Sequence, residues 1–365
     1  MKIAIIITNP DRAGAQMHVL SLLDGLNSKH EFLVIVGAEG FLTVEARKLG
    51  INCHIIHSLN RSISPWQDYL SFISIQSLIK TFSPDLVHVH SAKAAVLGRL
   101  AAKTTSTKSI YTVHGWAFSE GNAFLKTKVA LLVEKMMAKF TDKFIVVSHY
   151  DKNIAINRIT TPNNMVVVHN GIPEINEHYD QCDKSTKPLK LICVARLSRQ
   201  KNIPCLLRAI AMIDSSAHLD IVGSGPDEKK IKHYASKLGV NDKVSFLGER
   251  SDINQLLESS DIFLLSSDWE GLPIAIIEAT RAYLPIISTD VGGVREIVEN
   301  GVNGYLIVRN DAKSFARKLT QLINDEDKRN HFSQESRKRY EEYFKLEPML
   351  QKTNEIYHQV AVSAQ

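Results

Sequence analysis

The densest chemistry in the 365-residue chain lies in the segment Ser266-Ser267-Asp268-Trp269-Glu270-Gly271-Leu272-Pro273-Ile274-Ala275-Ile276-Ile277-Glu278. Glu270 precedes an apolar helix start and Glu278 falls about one turn inside it, so both carboxylates can face one ligand and accept hydrogen bonds from vicinal hydroxyls. The backbone N–H groups of Gly271, Leu272 and Ile274, at the same helix start, can hold polar oxygens. Upstream, Arg196-Leu197-Ser198-Arg199-Gln200-Lys201-Asn202 places three cations in one loop. Arg196 offers a two-pronged guanidinium and Lys201 a point charge, a pair suited to neutralising a diphosphate and also found in solvated basic loops. Glycines mark two further loops, Gly14 after the first apolar run and Gly223 and Gly225 in Val222-Gly223-Ser224-Gly225-Pro226. Each lets an anionic ligand approach the backbone, although tight turns use the same residues.

These segments need a scaffold that aims them at one place. Short β-branched runs at Lys2 to Thr8, Phe32 to Val36, Cys53 to His57, Leu86 to His90, Ser109 to His114, Phe144 to Ser148 and Met165 to His169 predict strands. Stretches of helical period, such as Ala15 to Asn27, Pro65 to Thr81 and Ala123 to Lys139, lie between most of them. Strands apolar on both faces and separated by helices imply an α/β fold with a doubly wound parallel sheet. The segment Ile172 to Pro188, rich in acids and without an apolar run, predicts a linker. A second alternation follows, with strands near Lys190 to Ala195, Leu219 to Val222, Val244 to Leu247, Ile262 to Leu265, Ile286 to Thr289 and Tyr305 to Val308. In such sheets ligands bind beyond the carboxyl ends of strands, where every loop singled out above is expected. Beyond Asp311 the chain becomes helical and charged, through Asp311 to Asn324, Lys328 to Tyr343 and Pro348 to Val360. The last carries Met349, Leu350, Ile356, Tyr357 and Val360 at helical spacing and requires a surface to pack on.

Composition narrows the class. The chain is 44% hydrophobic and 23% charged, which fits a globular protein and excludes disorder, collagen and coiled coil. No apolar run approaches the roughly 20 residues of a membrane-spanning helix, so a cytoplasmic protein is expected. Cys53, Cys182, Cys193 and Cys205 lie far apart, which argues against a zinc site and a disulfide framework. The net charge is +5, and residues 61 to 170 hold 13 Lys or Arg against 6 Asp or Glu. That surplus suits phosphates or anionic lipid, and no nucleic-acid partner is expected. Asp325-Glu326-Asp327 has the form of a metal-binding DxD but sits between helices and reads as a solvated loop. His88 and His90 alternate onto one strand face, where burial or an acceptor-side role outweighs a metal.

Taken together, Glu270 and Glu278 with Gly-Leu-Pro between them, the Val194 to Asn202 loop, the Gly-Ser-Gly-Pro turn and Thr289-Asp290-Val291-Gly292-Gly293-Val294-Arg295-Glu296 resemble the retaining glycosyltransferases of family 4. The similarity covers essentially the whole chain and extends to bacterial surface-polysaccharide enzymes. It implies a GT-B architecture: two Rossmann-like doubly wound parallel-sheet domains facing a central cleft, with a C-terminal helix crossing back to the first. The domains would be 1–180, with 346–365 packing on it, and 181–345. Arg196 and Lys201 would grip the donor diphosphate, Glu278 the ribose hydroxyls and Glu270 the sugar. Gly14 would meet the phosphate, and Gly223, Gly225, Leu247 and Gly248 would border the nucleotide. Tyr111-Thr112-Val113-His114-Gly115-Trp116 resembles the family's histidine motif and puts His114 near the transferred sugar. Ala13, where the family often has glycine, and Leu284, where it often has glycine before a proline, depart from the pattern.

The resemblance implies retaining, metal-independent transfer by front-face displacement, with no cofactor and a nucleotide-sugar donor, uridine diphosphate being favoured. The acceptor would be a glycan or polyprenyl-diphosphate-linked glycan. On the helix beginning at Ala123, Val129, Val133, Met136, Met137 and Phe140 are expected to share one face. Lys128, Lys135 and Lys139, flanked by Leu131 and Leu132, would lie opposite and attach the protein peripherally to the cytoplasmic face of an anionic inner membrane. Other readings of the same architecture remain: a sugar-nucleotide epimerase or hydrolase, a non-catalytic sugar-nucleotide-binding protein, and a nicotinamide oxidoreductase, for which Glu39 mimics a ribose-binding acid but GxGxxG is missing.

Overall fold

The computed structural model describes residues 1–119, 124–156, 158–175, 188–214 and 216–362. Two α/β units divide the chain, one of Met1–Gly171 with Leu346–Gln365 and the other of Ile172–Lys345. The first unit holds a seven-stranded parallel sheet of β1 (Lys2–Ile7), β2 (Glu31–Val36), β3 (Asn52–Ile55), β4 (Leu86–His90), β5 (Lys108–Val113), β6 (Lys143–Val146) and β7 (Met165–Val167). Their spatial order is β3-β2-β1-β4-β5-β6-β7. The second unit holds β8 (Lys190–Val194), β9 (His218–Val222), β10 (Val244–Gly248), β11 (Ile262–Leu265), β12 (Ile286–Thr289) and β13 (Gly304–Ile307), also all parallel, in the order β10-β9-β8-β11-β12-β13. Strands such as Lys2–Ile7 and Ile262–Leu265 are buried almost end to end because helices cover both faces of each sheet. In each sheet the chain order reverses at one place, between β1 and β4 and between β8 and β11. These are the topological switch points at which such folds take ligands.

The break between units falls at Gly171/Ile172, earlier than the expected 180/181, a position outside the described residues. The reason is anchoring. Ile172 N–H donates to Phe344 O, Tyr340 Oη donates to Ile172 O, Arg281 donates to Pro173 O at 2.8 Å, and Arg337 pairs with Glu174 at 2.5 Å. The start of the supposed linker therefore belongs to the second unit. The C-terminal helix Leu346–Val362 packs on the first unit, as its apolar stripe requires. Met349, Ile356, Tyr357 and Val360 join the core formed by Val19, Leu22, Leu23 and Leu26 of helix Gly14–Leu26. At Gly25 a Cβ would come within 2.2 Å of Leu350 Cδ1, so glycine sets this close approach. Tyr357 Oη lies 2.7 Å from His88 Nδ1, and His88 Nε2 lies 2.7 Å from Thr112 Oγ1. Asp325-Glu326-Asp327 is not the expected loop: Asp325 caps the helix Glu326–Tyr343 by accepting from Lys328 N–H, and Glu326 and Asp327 form its first turn. Cys193 and Cys205 are buried free thiols and Cys53 is a half-buried one; Cys182 lies outside the described residues.

One expectation is overturned on the helix Phe124–Ala138. Val129 and Met136 do not join Met137 in the core: each is 54% exposed, on the same side as Lys128, Lys135 and Lys139. Leu131 packs against the core and Leu132 is exposed. The helical repeat places 128, 129, 132, 135, 136 and 139 on one face, so the lysines alternate with apolar side chains and do not oppose them. What fixes this rotation is Glu134. It is buried and paired at 2.9 Å with Arg99 of helix Ala92–Thr104, whose guanidinium also reaches Ala95 O and Thr141 Oγ1 and lies over the Tyr111 ring. Burial raises the Glu134 carboxyl above its usual range and Arg99 opposes that rise.

Two outcomes follow for stability. Arg99→Met should cost about 3–5 kcal/mol, because Glu134 keeps a buried charge without its cation, and adding Glu134→Leu should restore most of the loss. Denaturant unfolding of the three proteins checks this, and a double variant no more stable than the single one contradicts it. His88 is held at about 3 by burial, with His18 adding repulsion. The folded state thus keeps a neutral ring while the unfolded chain takes a proton below about 6.5, so its contribution is full above that pH and is lost as pH falls toward 3. Melting measured across that window should drop less steeply for His88→Gln than for wild type; identical slopes would show that His88 carries no such linkage.

Candidate active site

The loops that leave β8 and β11, on either side of the switch point in the second sheet, are tied into one constellation. After β8 the chain makes a short 3₁₀ turn, Arg199–Lys201, then passes through Asn202, whose left-handed φ of 42° redirects it into the helix Ile203–Ala211. That turn delivers Lys201 to Glu270: Nζ and Oε1 are 2.5 Å apart, with the side chains 18% and 7% exposed. Glu270 Oε1 also accepts from Ser267 Oγ at 2.6 Å, while Gln200 Nε2 donates to Trp269 O at 2.9 Å. Asn202 donates to Asp268 at 2.8 Å, Asp268 N–H donates to Gln200 O at 2.7 Å, and Ser266 Oγ donates to the carbonyls of Lys201 and Asn202. The two residues expected to meet a diphosphate and a sugar are therefore an ion pair within one hydrogen-bonded frame.

Arg196 stands exposed in the same loop, and among the described residues its guanidinium has no hydrogen-bond or ion-pair partner. The neighbouring loops close in by backbone contact. A Cβ at Gly223 would lie 2.2 Å from Ala195 O, and one at Gly225 would lie 2.2 Å from Leu197 O, so neither position admits a larger residue without movement. Gly223 N–H donates to Gly248 O at 2.7 Å, which brings Leu247 and Gly248 beside the β9 loop. Gly292, at φ +57°, abuts Glu270 O, and Gly293 N–H donates to Gly271 O at 2.8 Å. Leu272 is buried. Ile274 opens the helix Ile274–Arg281, and Glu278 lies half-buried one turn along it, as its spacing predicts. Tyr283, beside the divergent Leu284, takes a left-handed φ of 59°, a backbone state usually left to glycine.

In the first unit, Gly14 is the first residue of the helix that follows β1, entered from an extended Ala13. His114 follows β5 directly and sits in a cluster that the sequence revealed only in part. His90 Nδ1 lies 3.0 Å from His114 Nε2, and the His18 ring packs edge-on against His114 at 4.9 Å. His18 Nδ1 lies 3.1 Å from Asn170 Oδ1, an acceptor, so the His18 proton is on Nδ1 and Nε2 carries a lone pair. His90 Nε2 is buried with no partner. An orphaned acceptor is cheaper than an orphaned N–H, so the His90 proton belongs on Nδ1, donated to His114 Nε2. His114 then holds its own proton on Nδ1. Burial lowers His18 to about 4 and lowers His90 and His114 well below their ordinary range, leaving all three rings neutral. One nitrogen from each comes within 4.8 Å of the others, a spacing one metal ion could bridge. His18 and Asn170 escaped the sequence reading. The spacing of His18 from Gly14, one helical turn, was the only signal, and Asn170 carried none.

Known proteins place this geometry. The profile for Glycosyltransferase Family 4 matches residues 12–174, and that for Glycosyl transferases group 1 matches residues 174–339. The chain is 30% identical over 385 residues, covering 100% of itself and 98% of the relative, to the Escherichia coli UDP-Gal:alpha-D-GlcNAc-diphosphoundecaprenol alpha-1,3-galactosyltransferase. It is 27% identical to the Staphylococcus aureus capsular polysaccharide biosynthesis glycosyltransferase CapM, over 84% of each chain. Among solved structures, Anabaena HepE in complex with UDP-glucose superposes with a TM-score of 0.85 at 21% identity, covering 98% of this chain and 100% of that one. By sequence along its whole length and by the architecture of both units, the chain belongs to the family 4 glycosyltransferases of GT-B fold.

Proposed function

We propose that the protein transfers a sugar from a UDP-sugar, with retention of configuration and without a metal, to a polyprenyl-diphosphate-linked glycan at the cytoplasmic face of the inner membrane. The observation that carries this reading is the frame in which Lys201 and Glu270 are paired beside exposed Arg196 at the switch point of the second sheet. A departing nucleoside diphosphate gains negative charge as the glycosidic bond breaks. Arg196 can meet it bidentately and Lys201 as a point charge, so both contacts strengthen toward the transition state. Glu270 keeps the ammonium oriented and presents its second oxygen to a sugar hydroxyl, while Glu278 accepts from the ribose. The family resemblance supports front-face displacement, in which the leaving diphosphate helps take the acceptor proton. The donor and acceptor in the name of the Escherichia coli relative, and the UDP-glucose bound to HepE, support a uridine donor and a lipid-linked acceptor. His114, with its proton on Nδ1, would act as a neutral hydrogen-bond donor to the transferred sugar.

Arg196→Ala and Lys201→Ala should each lower turnover by on the order of a hundredfold with little change in donor KM, since each removes an interaction made mainly in the transition state. Steady-state assay of UDP release with a lipid-linked acceptor checks this, and wild-type rates in both folded variants would refute the role. Release without acceptor at the same rate would point to a hydrolase. Nitrogen-15 spectra of the imidazoles should show His114 protonated at Nδ1 at neutral pH, shifting toward a tautomer mixture in His90→Phe; a wild-type ring protonated at Nε2 would overturn the assignment.

A further inference from the structure

Exposed apolar side chains are concentrated on one side of the first unit. Helices Pro65–Phe82 and Phe124–Ala138 flank helix Ala92–Thr104 and pack on the same core cluster, so they cover the same face of the first sheet. On the outer side of the first helix, Trp66, Tyr69, Leu70 and Ile73 follow the i, i+3, i+4, i+7 rhythm of a helical face and are 69%, 55%, 40% and 41% exposed. Ile63, just before the helix, is 92% exposed. On the other helix Leu125, Val129, Leu132 and Met136 form a second exposed row. These nine make up most of the fifteen large exposed apolar side chains among the described residues. Single exposed apolar residues are unremarkable, but two rows of them on one side are not.

The exposed charges on these helices are all positive. Lys126, Lys128, Lys135 and Lys139 are exposed among the second row, and Arg61 and Lys80 stand exposed at the ends of the first. The one acid on helix Phe124–Ala138 is Glu134, buried against Arg99, and the one acid on helix Pro65–Phe82 is Asp68, paired with Lys93. Together the two helices expose lysines and apolar side chains, with Trp66 and Tyr69 on the first, and the one carboxylate on each is paired. That combination suits the headgroup region of an anionic bilayer: apolar side chains enter the acyl boundary, Trp and Tyr sit at the interface, and lysine stems reach back to lipid phosphates. Among the described residues no helix is long and apolar enough to cross a membrane.

We infer that helices Pro65–Phe82 and Phe124–Ala138 together form a two-railed docking face that holds the protein on an anionic lipid surface, with Trp66, Leu125, Val129 and Leu132 inserted and Lys128, Lys135 and Lys139 on lipid phosphates. This deepens the lipid-linked acceptor reading, which gives the docking its purpose, but adsorption needs no substrate and can be measured without one. Sedimentation with vesicles of equal parts phosphatidylglycerol and phosphatidylcholine, compared with phosphatidylcholine alone, is the test. The wild-type chain should bind the anionic vesicles at least tenfold more tightly, and binding should weaken with added salt. The part of the emission lost in Trp66→Phe should shift blue and be quenched by brominated lipid. Lys128→Glu/Lys135→Glu/Lys139→Glu and, separately, Trp66→Ser/Leu132→Ser should each lose most of the binding while keeping turnover on a water-soluble acceptor analogue. Binding indifferent to lipid charge, no binding, an unmoved Trp66 emission during binding, or a concentration-dependent dimer that shields Trp66 would overturn the proposal. Adsorption without transfer to a lipid-linked acceptor would sink the acceptor reading and leave the docking face standing.

Discussion

An ammonium and a carboxylate 2.5 Å apart, each largely out of water, cannot be left to chance: both lose hydration, and the pair is favourable only if the surroundings hold the two groups in register. Lys201 comes from the turn after β8 and Glu270 from the turn after β11, so their meeting depends on the crossover that makes these strands neighbours. The left-handed Asn202, the Ser266 bonds to the β8 loop, the Asn202–Asp268 bond and the glycine at 292 all serve this register. The result is a cation held in place before any ligand arrives, which is the physical requirement of a site that meets a diphosphate with protein charge.

The first unit solves a different problem with the same topology. Its switch point lies between β1 and β4, and there the polar groups are imidazoles kept neutral by burial, chained through His90 to His114 and through His18 to Asn170. Beneath them His88 is bonded on one side to Thr112 and on the other to Tyr357 of the C-terminal helix. That helix therefore completes the first unit's core and supports the strand that carries His90.

Strand and helix positions were largely legible, because parallel strands buried on both faces leave unbroken apolar runs such as Ile3 to Ile7, and helices reveal their period. The placement of Glu278 one turn into its helix followed from spacing alone. Three things were not legible. The pairing of Lys201 with Glu270 is a long-range contact that neither loop encodes locally. The rotation of helix Phe124–Ala138 is set by the buried Arg99–Glu134 pair, so hydropathy misassigned Val129 and Met136 and hid a lysine-bearing apolar face. The unit boundary moved to Gly171/Ile172 because the carbonyl of Pro173 and the carboxylate of Glu174 are held by arginines distant in sequence.

On the proposed function, cations of the protein meet the donor diphosphate and no divalent ion is needed. Calorimetric titration of UDP into the wild-type chain, once in EDTA and once in magnesium, tests it most directly. Neutralisation by Arg196 and Lys201 predicts the same dissociation constant in both buffers. Binding that vanishes in EDTA and returns with magnesium would contradict it.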